Sequence, residues 1–180
     1  MRCTLLSLAL VALASANPLD RRQTTAGGVS NVILDVSDLA KDLNKVTAQI
    51  NKAYTSDNLN TFYNLAGTCS FDSGNVTASL GNSGHFSQAD SVKLGAALVS
   101  TLQPAVTSMA SNLVAHKASF QAASATVQAS VILNYLSADA MSIASSVVGQ
   151  VSGPTASSEA LAASSALASA FSSAKAVWGN

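Results

Sequence analysis

The chain has 180 residues, of which 48% are hydrophobic and only 10% are charged, and its formal net charge is zero. A neutral chain without clustered Lys and Arg lacks the positive field that binding to nucleic acid or to anionic membranes requires. Disorder requires low hydrophobicity and high net charge, so the many Ala and Ser residues do not predict a disordered chain. The composition predicts a folded protein whose surface carries mainly Ser, Thr, Asn and Gln.

The first residues have the features of a secretory signal peptide. Arg2 precedes the apolar run LLSLALVALA, and Ala14-Ser15-Ala16 has the small-x-small pattern of a cleavage site. The run is shorter than the roughly 20 residues of a membrane-spanning helix, and no later segment has that many uninterrupted apolar residues. We therefore expect residues 1–16 to be removed and the mature protein to be secreted, extracellular and without a transmembrane segment.

A short charged segment, residues 17–23, follows the signal peptide. Its dibasic pair Arg21-Arg22 fits either cleavage after Arg22 by a secretory-pathway protease or a flexible linker. Residues 24–180 are enough for a single domain with a substantial core. Only one cysteine, Cys69, lies beyond the signal peptide, so no internal disulfide is expected, and its apolar neighbours predict a buried, unreactive thiol.

Residues 29–50, VSNVILDVSDLAKDLNKVTAQI, repeat apolar side chains at intervals of three and four. On a helix this spacing collects them on one stripe and places the charged residues opposite. Asp38 and Asp42 lie one turn apart, the spacing of a metal-binding or acid/base pair, but neighbouring lysines favour a solvated charged face. The apolar stripe consists of Val29, Val32, Val36, Leu39, Leu43, Val46 and Ile50.

A second helical pattern, residues 56–66, leads into the stretch GTCSFDSGNVTASLGNSG, which is rich in glycine and turn-forming residues. This composition predicts that the second helix is interrupted or ends early. The stretch also contains the sequon Asn75-Val76-Thr77. In a secreted protein, Asn75 is therefore a candidate for N-glycosylation, which requires an exposed side chain.

A third helix is predicted to begin after Ser87, which is placed to cap it, with Asp90 in its first turn. Pro104 lies inside the periodic run, where it removes one backbone hydrogen bond. We expect a local distortion between Ser100 and Pro104 rather than the end of the helix. The apolar positions that continue in one phase across the proline are Val92, Val99, Leu102, Val106, Met109, Leu113 and Phe120.

Two further helices complete the predicted fold. Residues 121–148 are apolar on more than one face, which predicts a central position for this helix. The motif GQVSGPT ends it, and Pro154 begins a last helix in which bulky residues stand among Ala and Ser. Because strand-like alternation is missing from the sequence, the predicted fold class is all-α, an antiparallel bundle of four to five helices.

No recognisable catalytic or metal-binding motif occurs in the sequence. His85 and His116 are far apart, and there is no HExxH, GxSxG, P-loop or cluster of Cys and His. Isolated histidines of this kind are typical of surface or capping positions. We therefore expect a protein that is not an enzyme and that needs no cofactor and no metal.

Bulky side chains are few relative to the apolar helix faces, because aromatic residues make up only 5% of the chain. Two interpretations remain open: the alanines leave an elongated internal apolar cavity, or they let the helices approach and leave none. The first helix, at about 33 Å, is long enough to lie beside an acyl chain, and each buried methylene contributes about 0.8 kcal/mol. The candidate lining residues are Val36, Leu39, Leu43, Leu98, Leu102, Val106, Met109, Leu113, Leu133 and Leu136.

The run LQPAVTSMASNLVAHKASF, followed by VILNYLSADAMSIA, resembles the fungal hydrophobic surface-binding protein A family, which includes the cell-wall galactomannoprotein antigens. The matching positions are Leu102, Pro104, Leu113, His116-Lys117 and Phe120, and His116 stands where a second basic residue is common. The signal peptide, the dibasic pair and the heptad-like first helix extend the resemblance over nearly the whole mature chain. It rests on apolar spacing rather than on a chemical group.

Two features depart from that family. Residues 67–84 are looser than expected of its second helix, and the chain ends at AVWGN without a Ser/Thr-rich stalk or a hydrophobic tail. We therefore expect no lipid anchor, so that any attachment to the cell wall is non-covalent or through glycans.

The resemblance implies a non-enzymatic, all-helical protein. Members of that family act in two ways. Some enclose fatty acids in a long cavity between helices, whereas others adsorb to hydrophobic solids and help to recruit secreted polyester-degrading enzymes. We expect first a secreted protein that binds fatty acids or similar lipids. The alternative is an extracellular or cell-wall adhesive glycoprotein that adsorbs to hydrophobic surfaces through exposed residues such as Trp178 and recruits hydrolases. A long tunnel favours the first, and a closed interior with an exterior apolar patch favours the second.

Overall fold

A computed structural model describes residues 28–52 and 56–179. These ranges hold five long helical runs, the third of which joins two α-helices through a π-helical turn, and one short helix, in agreement with the predicted bundle. The predicted signal peptide and the cleavage after Arg22 lie outside the described residues. The elements are α1 (Val29–Ile50), α2 (Ser56–Ser83), α3 (Gln88–Ala97), the π-helical turn (Leu98–Leu102), α4 (Gln103–Ala115), α5 (Lys117–Ala122), α6 (Thr126–Gln150) and α7 (Pro154–Trp178).

The five long runs form a closed ring of neighbours. Helix α1 packs against α2, α2 against α6, α6 against α7, α7 against α4, and α4 against α1. Ser79, near the end of α2, donates a hydrogen bond of 2.6 Å to Asp35 near the start of α1, so these two helices are antiparallel. The amide of Phe86, just after α2, donates to the carbonyl of Gln150 at the end of α6, so α2 and α6 run parallel. Each run therefore presents one face to a shared axis.

Helix α1 has the predicted bounds, and its apolar stripe is buried as predicted, except that Val29 is only partly buried. One polar edge of α1 packs against α2, whereas Lys41 and Lys45 stay exposed to solvent. The side chain of Gln49 donates to the carbonyl of Asn58 at 3.0 Å, and Asp42 is only 9% exposed. The prediction of a solvated charged face is therefore wrong for Asp42, because α2 continues beside α1 where a loop was expected.

Helix α2 is a single helix of 28 residues, so the prediction of an interrupted second helix is wrong. Its glycines recur every seven residues and are all exposed, at Gly67, Gly74 and Gly81. Glycine has a low helix propensity, but the burial of an apolar stripe on the opposite side of the helix outweighs it. This stripe includes Phe62, Ala66, Cys69, Val76 and Leu80.

Alanine in place of Gly67 and Gly81 is expected to stabilise the protein. A Cβ atom at either position meets nothing within 4 Å, and the double variant should raise the free energy of unfolding, measured with urea, by about 1–2 kcal/mol. The matched control is Gly95→Ala on α3, whose Cβ would lie 2.7 Å from Oε2 and 3.3 Å from Cβ of Glu159 on α7. That variant should be destabilised. A double variant no more stable than the unmodified protein would contradict this explanation of α2.

The distortion predicted before Pro104 is a π-helical turn, Leu98–Leu102. The amide of Gln103 donates to the carbonyl of Leu98, which lies five residues earlier. In an α-helix the acceptor lies four residues earlier. Proline has no amide hydrogen and its ring crowds the preceding turn, so a wider turn lets the helix continue without a clash. The predicted continuation of the helix through Pro104 is confirmed.

The π-helical turn also changes which side chains of α3 face the core. Leu94 and Leu98 are buried, whereas Val92 and Val99 are 40% and 41% exposed. Each residue in a π turn rotates less about the helix axis than a residue in an α-helix. A prediction that assumes α-helical rotation throughout therefore assigns the residues that precede Leu102 to the wrong face. The prediction of a single apolar phase is therefore wrong for Val92 and Val99, whereas the positions from Leu102 onward share one buried face.

One end of the ring is closed by aromatic side chains. The ring of Phe120 lies 5.3 Å from that of Phe62 and 5.6 Å from that of Trp178, measured between centroids. The side chain of Lys117 donates to the carbonyl of Val177 at 2.7 Å, which ties α5 to the end of α7. Trp178 is only 7% exposed, so the expectation that it is an exposed adhesive residue is wrong.

Helix α6 has one buried and one exposed apolar face, so the predicted fully central position is wrong. Its inner face packs against α2 and α7. In the described part of the chain, α6 is the one helix long and apolar enough to cross a membrane, by length and composition alone, with 44% of its most apolar window buried. Core helices of folded proteins have the same property. The exposed apolar residues, termed here the α6 outer stripe, are Val127, Val131, Tyr135 and Met141.

Candidate functional site

A small void lies on the axis of the ring. Its volume is about 10 Å³, which is room for about one water molecule. The void is too small to hold an acyl chain in this conformation, and the elongated cavity remains a prediction. All five long runs contribute to the walls, through Leu39, Leu43, Ser73, Leu102, Val106, Leu136, Ala140, Ile143 and Phe171.

The predicted lining residues divide into two groups. Those that line the void are Leu39, Leu43, Leu102, Val106 and Leu136. The others are buried elsewhere in the core, and these are Val36, Leu98, Met109, Leu113 and Leu133. Each predicted residue is therefore interior, and its role in ligand binding remains a prediction.

Sequence reasoning missed four residues that line the void. Ser73 was missed because its segment was predicted to be a loop, and Ala140 because a small side chain gives little signal. Ile143 and Phe171 lie on apolar helix faces that the sequence shows. Their position on the axis depends on how α6 and α7 rotate against the other helices, which periodicity alone does not determine.

A larger, open groove lies between α2 and α6, with a volume of about 410 Å³. Gly74 helps to open it, because a Cβ atom at this position would meet nothing within 4 Å. Ser73, which is 4% exposed, lines both this groove and the void. The groove is lined by Ser70, Ser73, Gly74, Thr77, Ala78, Asp139 and Ser142.

Asp139 is the ionisable residue that lines this groove. The hydroxyl of Ser70 donates a hydrogen bond of 2.8 Å to Oδ2 of Asp139. Burial raises the pKa of the Asp139 carboxyl above its ordinary value, and the hydrogen bond from Ser70 opposes that change. The residues that line the groove include no Lys, Arg or His. The groove therefore offers hydroxyl and carboxyl oxygens without a cation.

Two carboxyl groups, Asp42 and Asp72, meet between α1 and α2. They share a hydrogen bond, and Asp42 also forms an ion pair with Lys45. Burial, this hydrogen bond and the charge of Asp42 raise the pKa of Asp72 to about 7. Among the described residues, His, Cys, Asp and Glu form no group of three or more suited to a metal ion.

The free energy of unfolding is expected to fall as the pH rises from about 4 to about 7, because of Asp72. The folded protein keeps the Asp72 proton up to about pH 7, whereas an ordinary Asp releases it near 3.8. Between these values the folded state binds more protons, so raising the pH favours unfolding. Asp72 is partly exposed, and solvent screening should limit the loss to about 1 kcal/mol.

Urea unfolding at the two ends of this pH range measures the effect. Asp72→Asn should remove most of the pH dependence, because the amide cannot ionise. Asp38→Asn is the control, since Asp38 forms a surface ion pair with Lys41 and should leave most of the dependence in place. An unchanged pH dependence in Asp72→Asn would show that another group titrates.

The remaining predicted residues have separate positions. Cys69 is fully buried, and burial raises the pKa of its thiol, which agrees with the predicted unreactive cysteine. His85 is exposed, and His116 lies between α4 and α5, where its carbonyl accepts the amide of Phe120. Asn75 lies within α2 and is partly buried, so its glycosylation remains a prediction.

Comparison of the sequence with family models and with characterised proteins gives no match. Comparison of the fold with solved structures does give matches. Afmp4p in complex with palmitic acid has a TM-score of 0.79 and 21% identity, covering 84% of this chain and 99% of that one. Ligand binding domain 1 of the Penicillium marneffei MP1 protein, complexed with arachidonic acids, has a TM-score of 0.74 and 16% identity, covering 84% and 99%. Domain 2 of the same protein, complexed with multiple arachidonic acids, has a TM-score of 0.75 and 14% identity, covering 85% and 97%. This chain is therefore similar in fold, over almost the full length of each, to helical domains determined in complex with fatty acids.

Proposed function

We propose that this chain is a secreted, non-enzymatic protein that binds a fatty acid or similar lipid inside its ring of helices. The observation that carries the proposal is the void on the ring axis, which all five long runs enclose. Every side chain that lines it is apolar except Ser73. Further support comes from the similar folds of Afmp4p and MP1, which were determined with palmitic and arachidonic acids.

Binding requires the ring to expand, because a void of about 10 Å³ does not hold an acyl chain. Part of α7 packs through alanine, which buries little apolar area per residue, so its contacts along that part cost little free energy to separate. Its buried alanines are Ala156, Ala160, Ala163 and Ala174. Each methylene of the acyl chain contributes about 0.8 kcal/mol on burial, and this gain offsets the free-energy cost of separating the helices.

Native mass spectrometry of the purified protein incubated with palmitic acid tests this function. We expect retained palmitate and a higher midpoint of thermal unfolding, because the ligand binds the folded state and not the unfolded chain. Butyric acid is the control, since its few methylenes should not hold it in the protein. A protein that retains neither added nor co-purified fatty acid at micromolar concentration would overturn the proposal.

A second candidate function is adsorption to hydrophobic surfaces, and the α6 outer stripe favours it. Val127 is 72% exposed and Tyr135 is 56% exposed, on the same side of one helix. A protein attached in this way could hold secreted hydrolases at a polyester or wax surface. The two functions are compatible because an opened ring also exposes apolar side chains.

Adsorption of the folded protein to polystyrene tests the second function. Replacing Val131 and Tyr135 by serine should reduce adsorption, because it removes apolar area from the α6 outer stripe. Leu34→Ser is the matched control, since Leu34 on α1 is 54% exposed and lies outside the stripe. Equal adsorption of all three proteins would exclude the stripe as the adhesive surface.

We also propose that this chain belongs to the hydrophobic surface-binding protein A family and that the mature protein is extracellular or associated with the cell wall. The resemblance of residues 102–120 to that family supports membership, together with the fold similarity to Afmp4p and MP1. A glycan on Asn75 is part of the proposal. The mass of the secreted protein before and after glycosidase treatment tests both the cleavage sites and the glycan.

A further inference from the structure

The groove between α2 and α6 lies directly beside the void. Ser73 lines both spaces, and on α6 the groove residue Asp139 is followed directly by the void residue Ala140. The Ser73 hydroxyl donates to the carbonyl of Cys69 at 2.8 Å, so its hydrogen is used within α2. An acyl chain in the void that extends past Ser73 would therefore place its head group in the groove.

The polar atoms of the groove are mainly hydrogen-bond acceptors. The Ser70 hydroxyl donates to Asp139, and the Thr77 hydroxyl donates to the carbonyl of Ser73 at 3.0 Å. A hydroxyl that has donated its hydrogen still has lone pairs, and an ionised carboxylate has acceptors only. These groups therefore favour a head group that donates hydrogen bonds, and the Ser142 hydroxyl on the α6 wall is the one groove side chain left to donate in return.

We propose that this groove is the head-group site of the bound lipid and that Asp139 selects an uncharged, hydroxyl-bearing head group, such as that of a monoacylglycerol, over an ionised carboxylate. This inference rests on the proposed lipid binding. A head-group hydroxyl donates to Asp139, Ser70 or Thr77. A carboxylate instead brings a second negative charge beside Asp139, where no Lys, Arg or His lines the groove to compensate it.

Lauric acid and its glycerol monoester test the selection, because they share one acyl chain and differ in the head group. Calorimetric titration at neutral pH should show that the monoester binds the unmodified protein at least about tenfold more tightly. Asp139→Asn removes the charge but keeps an oxygen that accepts from Ser70. This variant should bind laurate about tenfold more tightly than the unmodified protein does, with less than about a threefold change for the monoester.

Gly74→Leu tests the location of the head group, because the new side chain would project into the open groove. Gly74→Leu should weaken the binding of laurate and of its monoester by about tenfold or more. Gly81→Leu is the matched control, since Gly81 lies seven residues later on the same helix, has nothing within 4 Å of a Cβ and does not line the groove. Both variants should fold, because leucine has a higher helix propensity than glycine.

Each outcome decides between the inference and the proposed function. Unchanged laurate affinity in Asp139→Asn would overturn the selection, and unchanged affinities in Gly74→Leu would place the head group elsewhere. Lipid binding itself would stand in both cases. If the unmodified protein binds neither laurate nor its monoester, the proposed function fails, and the inference fails with it.

Discussion

Phe171→Ala is expected to lower the free energy of unfolding by about 3–5 kcal/mol and to make the protein more responsive to a fatty acid. Phe171 is 2% exposed and lines the void on the ring axis. Its loss enlarges the void where we propose that the acyl chain lies. An enlarged apolar cavity remains dry until an apolar ligand fills it, so a fatty acid should replace part of the lost packing.

Urea unfolding with and without palmitic acid measures this response. A ligand at about one hundred times its dissociation constant stabilises the folded state by about 2.7 kcal/mol. The unmodified protein should gain less at the same palmitate concentration, because its helices must first separate. Equal gains in Phe171→Ala and in the unmodified protein would contradict the proposed position of the acyl chain.

Phe120→Ala is expected to destabilise the protein by a similar amount, about 3–5 kcal/mol, without an added response to palmitic acid. Phe120 is fully buried between the rings of Phe62 and Trp178, away from the residues that line the void. The same chemical truncation is thus made inside the proposed site and outside it. The position of the cavity, and not its size, should determine the response to the ligand.

Urea unfolding also measures the effect of Phe120→Ala, with Val127→Ala as a surface control. Val127 is 72% exposed, so its truncation should change the free energy of unfolding by less than about 0.5 kcal/mol. A loss below about 1 kcal/mol in Phe120→Ala would show that the aromatic cluster contributes little. If palmitic acid stabilised Phe120→Ala as much as it stabilises Phe171→Ala, the lipid site would extend to this end of the ring.

The void on the ring axis bears on the question about the alanines that the sequence left open. The void of about 10 Å³ agrees with the interpretation in which small residues let the helices approach closely. Close packing through alanine does not exclude ligand binding, because it buries less apolar area at each contact than larger side chains would. A ring held in this way can exchange contacts between its helices for contacts with an acyl chain.

The sequence by itself determined the features that depend on neighbouring residues. The period of three and four residues predicted α1 with its observed bounds, Ser87 caps α3, and Pro154 begins α7. Pro104 predicted the distortion that appears as a π-helical turn. These features follow from helix periodicity, capping and the missing amide of proline, which act within a few residues along the chain.

Only the tertiary structure decided the features that depend on which helices meet. Helix α2 continues past three glycines because other helices cover its apolar stripe, and Trp178 is buried because α5 brings Phe120 against it. Ser73 and Phe171 come together on the axis although their segments are far apart in the chain. Periodicity shows which face of each helix is apolar, but the rotation of each helix against its neighbours results from the packing of all five long runs together.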